Sequence, residues 1–125
     1  MERIKVTGDA VISTLREVAD EHPDYVYEAP TSQLAPGLSC FYVHGKGESA
    51  VPGCIVGHVL NRLGVPLNSL AQHEGNDACD LADKFLEIQG DLAVDAHSAI
   101  MGAQQNQDSG RPWGESVAMA VRCSA

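Results

Sequence analysis

"VPGCIVGHVLNRLGV", Val51 to Val65, is the stretch whose reading decides the fold class. Pro52 suits a first helical turn, where the missing N–H is not needed. Ile55, Val56, Val59, Leu60 and Leu63 then recur at helical spacing on one face, and Gly64 supplies the backbone freedom that ends a helix. At about 100° per residue, Cys54, His58 and Asn61 gather on the opposite side with Gly57 beside them.

Toward the C-terminus the helical period continues. "PLNSLAQ" fits a short second helix. Asn76 is placed to cap "DACDLADKFLEIQ", whose Ala78, Leu81, Ala82, Phe85 and Leu86 form one stripe that Gly90 closes. "DLAVDAHSAIMGAQQNQD" carries Leu92, Ala93, Ala96, Ala99, Ile100 and Ala103, a stripe of mostly small residues suited to close helix contact. In "RPWGESVAMAVR", Pro112 opens a last helix with Trp113, Val117, Ala120 and Val121 inward.

Toward the N-terminus the pattern changes. "GKGES", Gly45 to Ser49, reads as a link, and "DYVYE" and "LSCFYVH" are β-prone runs separated by "APTSQLAPG". They are expected to pair as an antiparallel hairpin. "RIKV", Arg3 to Val6, is a short strand candidate, and "TGDAVISTLREVADEHP" a helix capped by Thr7 or Gly8, striped by Val11, Ile12, Leu15, Val18 and Ala19, and stopped by Pro23. The whole predicts an α+β fold, predominantly helical with about five helices. A small antiparallel β-hairpin or three-stranded sheet is expected near the N-terminus. Residues 1–125 form a single globular domain in this reading, 1–50 an α/β half and 51–125 a helical half.

Composition narrows the function. A chain of 125 residues buries roughly two-thirds of its unfolded surface in one core. Apolar residues make up 44% but aromatics only 5%, so the core is built from small aliphatic side chains. The formal charge of −9, from 17 acidic and 8 basic residues, opposes nucleic acid and anionic membrane as partners, since both need a positive surface. Basic or neutral proteins fit better. Cys40, Cys54, Cys79 and Cys123 are even in number, but "MERIKVTGDAV" has no apolar leader and no run approaches a membrane span, so a cytoplasmic protein with reduced thiols is expected.

The Cys54 face admits several chemistries. A cysteine in a first helical turn, with an imidazole one turn on, has the ingredients of nucleophilic catalysis: the dipole favours the thiolate and His58 acts as base. That makes Cys54 and His58 the catalytic candidates of a small cysteine hydrolase or transferase. The usual separate strand for the base and an oxyanion hole are missing. "CFYVH" and "CIVGH" are both C-x3-H, so Cys40, His44, Cys54 and His58 form a candidate zinc set. On a strand, however, Cys40 and His44 sit about 13 Å apart. A helix-turn-helix at "HVLNRLGVPLNSLAQ" is opposed by bulky Leu60 and by the lack of Lys or Arg in "PLNSLAQHEG". The plain alternative ranks first: Cys54 packs as a small hydrophobe, and His58 and Asn61 bond a neighbouring element over Gly57.

"PGCIVGHVLNRLGV" and "QQNQDSGRPWGESVAMAV" together resemble small proteins of mycobacteriophages and other actinobacterial phages, over about Pro52 to Val121. The resemblance rests on Cys54 and Gly57 in the first segment and on Gln107, Asp108, Gly110, Trp113 and Gly114 in the second. It implies origin, with no activity to carry across. The second segment reads as a structural corner: Asp108 and Gly110 end one helix, Pro112 starts the next and Trp113 anchors it. Alternatively Trp113 and Gln107 rim a binding groove. The favoured expectation is thus a phage-encoded accessory protein without a cofactor. It acts in the host cytoplasm by binding a bacterial host or phage protein, and a homo-oligomer is compatible with that role.

Overall fold

The computed structural model describes residues 2–28 and 41–124, with side chains described as far as Val121. Strand β1, Ile4–Thr7, points Ile4 and Val6 inward and runs directly into helix α1, Gly8–Glu21. Thr7 makes the join, its hydroxyl accepting from the Ala10 amide at 3.1 Å. Val11, Leu15, Val18 and Ala19 bury the inner face of α1, and Ile12 packs partly buried beside them.

The expected hairpin between "DYVYE" and "LSCFYVH" does not form. Asp24–Glu28 has no strand structure, and residues 29–40, which include the predicted loop and the start of the second run, lie outside the described residues. Strand β2, Val43–His44, instead pairs antiparallel with β3, Val51–Pro52, across a 3-10 turn at Gly47–Ser49. "GKGES" is therefore the tip of a hairpin. Two further bonds, Gly53 N–H to the Tyr42 carbonyl at 2.9 Å and Cys54 N–H to the Phe41 carbonyl at 3.0 Å, carry this pairing up to the start of helix α2, Ile55–Arg62. The other edge of β2 is held by Glu74, whose two carboxylate oxygens accept from the Tyr42 and Val43 amides at 2.8 and 3.1 Å.

Helix α2 ends at Leu63 and Gly64. The Val65 amide reaches back to the Leu60 carbonyl, and Gly64 takes a φ of 116° that favours glycine. Helix α3, Leu67–Ala71, follows and buries Leu70. Helix α4, Ala78–Phe85, is capped by Asp77, not Asn76, through a carboxylate that accepts from the Asp80 amide.

The helix predicted through Gln89 stops at Phe85. Leu86–Gln89 becomes strand β4, parallel to β1 in the register Ile4↔Leu86 to Thr7↔Gln89. Leu86 and Ile88 satisfy a period of two as well as the helical one, and pairing gives the β1 backbone the partners a lone strand lacks.

Helix α5, Ala93–Asp108, buries Ala96, Ala99, Ile100 and Ala103 as its stripe predicts. Against helix α6, Trp113–Ser124, the contact is close: a Cβ added at Gly102 would sit 3.0 Å from that of Ala120. Helix α1 packs on α2, α5 and α6, and one continuous apolar cluster joins the described helices to β1, β2 and β4. The fold is α+β and mostly helical. Among the described residues, no helix is long and apolar enough to cross a membrane.

Candidate functional site

The corner between α5 and α6 is built on Gly110 and Pro112. Gly110 takes a φ of 91° as α5 ends, and the Pro112 carbonyl accepts from the Ser116 amide at 2.8 Å as α6 begins. The first amides of α6 have no partner within their own helix. Chain leaving α1 supplies the acceptors: the Tyr25 carbonyl takes the Trp113 amide and the Pro23 carbonyl the Gly114 amide, both at 2.9 Å. A Cβ at position 114 would stand 2.9 Å from that Pro23 oxygen, so glycine is what lets the two segments meet.

Trp113 is thereby seated at 1% exposure. Three rings meet its indole edge to face: Tyr25 at 4.9 Å between centroids, His58 at 5.2 Å and His22 at 6.1 Å. Its Nε1 donor is buried and makes no hydrogen bond among the described residues. An orphaned buried donor costs about 1–3 kcal/mol, and ring contacts recover only part of that.

Beside the indole lies a cleft of about 180 Å³, lined by His22, Tyr25, His44, Pro52, Gly53, His58 and Trp113. The end of α1, the β2–β3 hairpin, α2 and α6 each supply a wall. Tyr27 anchors the hairpin side, its hydroxyl accepting from the Phe41 amide at 3.0 Å and meeting His44 Nε2 at 2.8 Å. Gly53 leaves the opening, because a Cβ there would fall 2.6 Å from the His44 ring and 2.4 Å from the Phe41 carbonyl. Burial holds the His44 imidazole below its ordinary range. The same desolvation, reinforced by the Arg62, His22 and His44 charges against a weaker opposing pull from Glu21, holds His58 below it too. No Asp or Glu lines the cleft, although the chain carries 17 of them.

The Cys54 face is organised differently. Cys54 has no exposed surface, and its Sγ is directed to Gln104 Oε1 of α5 at 3.9 Å. The α2 N-terminus has no side-chain cap of its own. Gln107, 2% exposed, reaches across from α5 and accepts the Ile55 amide on Oε1 at 2.9 Å, while its Nε2 donates to Asp108. Gln107 is thus a cap lent by another helix, and it does not line the cleft. Gly57 lies under the backbone that leads into β2, where a Cβ would come within 2.1 Å of the Tyr42 carbonyl oxygen. Asn61 closes its own helix end on the Val65 carbonyl at 3.1 Å. Cys54, His58 and Asn61 therefore engage three separate neighbours, Gln104, Trp113 and Val65, and converge on no common point.

The candidate zinc set is dispersed. Cys40 lies outside the described residues, Cys54 faces α5, and His44 Nε2 is taken by Tyr27. Among the described residues no three His, Cys, Asp or Glu side chains stand close enough to hold a metal ion. In the helix-turn-helix region α3 is only five residues long, and Arg62, the sole basic residue between Lys46 and Lys84, is paired with Glu21 and Glu17 of α1. Partial burial and the neighbouring Asp83, Asp77 and Asp80 push the Cys79 thiol up, away from the reactive thiolate.

His22, Tyr25 and His44 are cleft residues that reading for motifs passes over as a group, because no local spacing relates positions 22, 44, 58 and 113. The available signal was compositional: three of five histidines and the single tryptophan meet here. Two larger grooves flank α1, but neither gathers imidazoles or an orphaned polar group. Compared with known proteins, the chain matches no family model, no curated sequence and no solved structure.

Proposed function

We propose that this is a non-enzymatic binding protein, an accessory protein of phage origin that acts on a bacterial host or phage protein in the host cytoplasm through the Trp113 cleft. The observation that carries the reading is a preformed cleft walled by the only tryptophan, whose buried N–H lacks an acceptor among the described residues. Buried polar groups are nearly always paired, so an unpaired one calls for an explanation, and a bound acceptor is one. The origin rests on the resemblance of the Cys54 and Trp113 segments to actinobacterial phage proteins. Thiol catalysis is disfavoured, since a sulfur with no exposed surface offers no path to a substrate. DNA binding is disfavoured because the one cation near α3 is committed to two glutamates.

Tyr25 is 40% exposed and lines the cleft, so a photoreactive phenylalanine at this position reports on its occupant. Cross-linking in infected or uninfected host lysate is expected to give one discrete adduct, competed by unlabelled protein. The same probe at Val94, the most exposed large apolar residue and one on α5, is expected to give none. Equal adducts from both positions, or none from position 25, would overturn the reading.

A further inference from the structure

Among the described residues the cleft is lined by an indole, a phenol and three imidazoles, all able to donate a hydrogen bond, and by no carboxylate. Trp113 Nε1–H has no partner among the described residues. The Tyr25 hydroxyl accepts only a 3.4 Å contact from the Glu28 amide, which leaves its proton free to donate. The His22 and His58 ring nitrogens make no hydrogen bond among the described residues; their contacts are with the indole face and edge. With no carboxylate among the described lining residues, an incoming acceptor meets no like charge there, and Glu21, the acid that acts on His58, is committed to Arg62. At about 180 Å³ the space is below the roughly 300–1,000 Å³ of pockets that engulf a drug-sized ligand. It suits a small acid or one functional group of something larger.

On these grounds we propose that the cleft binds a carboxylate, with one oxygen on Trp113 Nε1–H and the other shared by Tyr25 and the His22 and His58 imidazoles. This rests on the reading of the cleft as the contact site and names what it contacts. A monoanion is preferred to a phosphate dianion because no Lys or Arg lines the walls. A metal ion is disfavoured by the spacing of the imidazoles. The Tyr25 ring, packed edge-on over the indole and weakly held at its hydroxyl, is the wall that shifts to admit the oxygen. Two sources supply the same chemistry: a free small acid, or the C-terminal carboxylate of a partner chain. Binding is expected to strengthen on acidification as His58 gains a proton. The charged groups facing His58 are Arg62 on its own helix, His22 and Glu21 at the end of α1, and His44 on β2.

The single tryptophan reports on the site, so the intact protein can be titrated by its fluorescence with acetate, acetamide, inorganic phosphate, and an acetylated Gly-Ala-Ala peptide with a free or amidated end. The expected result is a saturable change with acetate or the free-ended peptide and none with their neutral counterparts. It should be about tenfold tighter near pH 6 than near pH 8. His22→Ala, at an exposed position outside the core, should weaken it by about tenfold. In Trp113→Phe, followed by imidazole NMR shifts, binding should be lost while the fold persists. Tighter binding of the peptide than of acetate identifies a chain end as the source, and the reverse a free acid.

No saturable response to either carboxylate, an equal response to acetamide, or a stronger one to phosphate would overturn the proposal. If carboxylates fail while the position-25 adduct persists, only this ligand is wrong. If carboxylates bind and the adduct is absent, the partner-protein reading fails and the site stands.

Discussion

The N-termini of α2 and α6 are built alike and finished differently. Each takes its caps from elsewhere: α2 from the Gln107 side chain of α5, α6 from the Tyr25 and Pro23 carbonyls beyond α1. Each also depends on a glycine that admits a crossing backbone, Gly57 under Tyr42 and Gly114 against Pro23. At α2 the junction is sealed, with Cys54 fully buried and the capping amide satisfied. At α6 it is left unfinished, with an indole N–H that has no acceptor among the described residues and three imidazoles around open space. A reactive residue type, Cys54 beside His58, marked the finished corner. An unsatisfied donor marked the other.

The sharpest way to break this comparison is at the indole. Trp113→Ala should cost about 3–5 kcal/mol in urea unfolding, as large core truncations do. Trp113→Phe should cost no more than about 1 kcal/mol, because losing packing volume is offset by removing a donor whose burial costs about 1–3 kcal/mol. A Phe variant as damaged as the Ala variant would show that the N–H is engaged, and the two corners would then be equivalent.

Gly57→Ala tests how tightly the α2 corner is closed. A Cβ 2.1 Å from the Tyr42 carbonyl oxygen meets backbone that cannot rotate away, so the change should cost about 3 kcal/mol, the upper range for overpacking. A neutral result would mean that the hairpin rides loosely on α2.

Cys54 offers a third test. Iodoacetamide should leave its thiol unmodified in the native state and label it only as the protein unfolds, read by peptide mass. Cys54→Ser should destabilise by about 1–3 kcal/mol, toward the lower end because Gln104 stands near enough to receive the hydroxyl. Fast native labelling without a loss of stability would move the chemistry back to this corner.

The smallest expected effect is that of pH. Because burial lowers His44 and His58 below 6.5, the fold favours their neutral forms. Their contribution is fully present above pH 6.5 and is lost as pH falls through 6.5 toward their folded values. Glu74 works the other way: desolvation, outweighing its two backbone hydrogen bonds, raises it above 4.5, so its contribution is present below pH 4.5 and lost as pH rises through the folded value. The melting temperature should fall on acidification just below pH 6.5, and His58→Gln should reduce that slope. An unchanged slope would assign it to His44 or to groups outside the cleft.

Much of the fold was legible because helices announce themselves locally. The stripes of α1, α2, α5 and α6, the Thr7 cap, the Gly64 stop and the Pro112 start each depend on residues within a turn or two of one another. Small residues at 96, 99 and 103 already called for a close neighbour; all three are buried, and α5 makes its closest approach to α6 at Gly102. Gly57 marks where a neighbouring element crosses α2, but the helix pattern does not name the Tyr42 backbone as that element. Gln107 showed no sign of being the cap of a helix fifty residues earlier, because a glutamine so far from an N-terminus matches no local capping pattern.

From sequence alone follow the α+β class, its helical dominance, the acidic charge and a close neighbour for α5, though not which helix that is. The tertiary structure decided that "LEIQ" is a strand, that β2 pairs with β3, that Cys54 is sealed and that His22, His44, His58 and Trp113 share a cleft. The physical reason is range. A helix satisfies its own backbone and shows its period in adjacent residues, whereas a strand's partner, a borrowed cap and an orphaned donor exist only once distant segments have met.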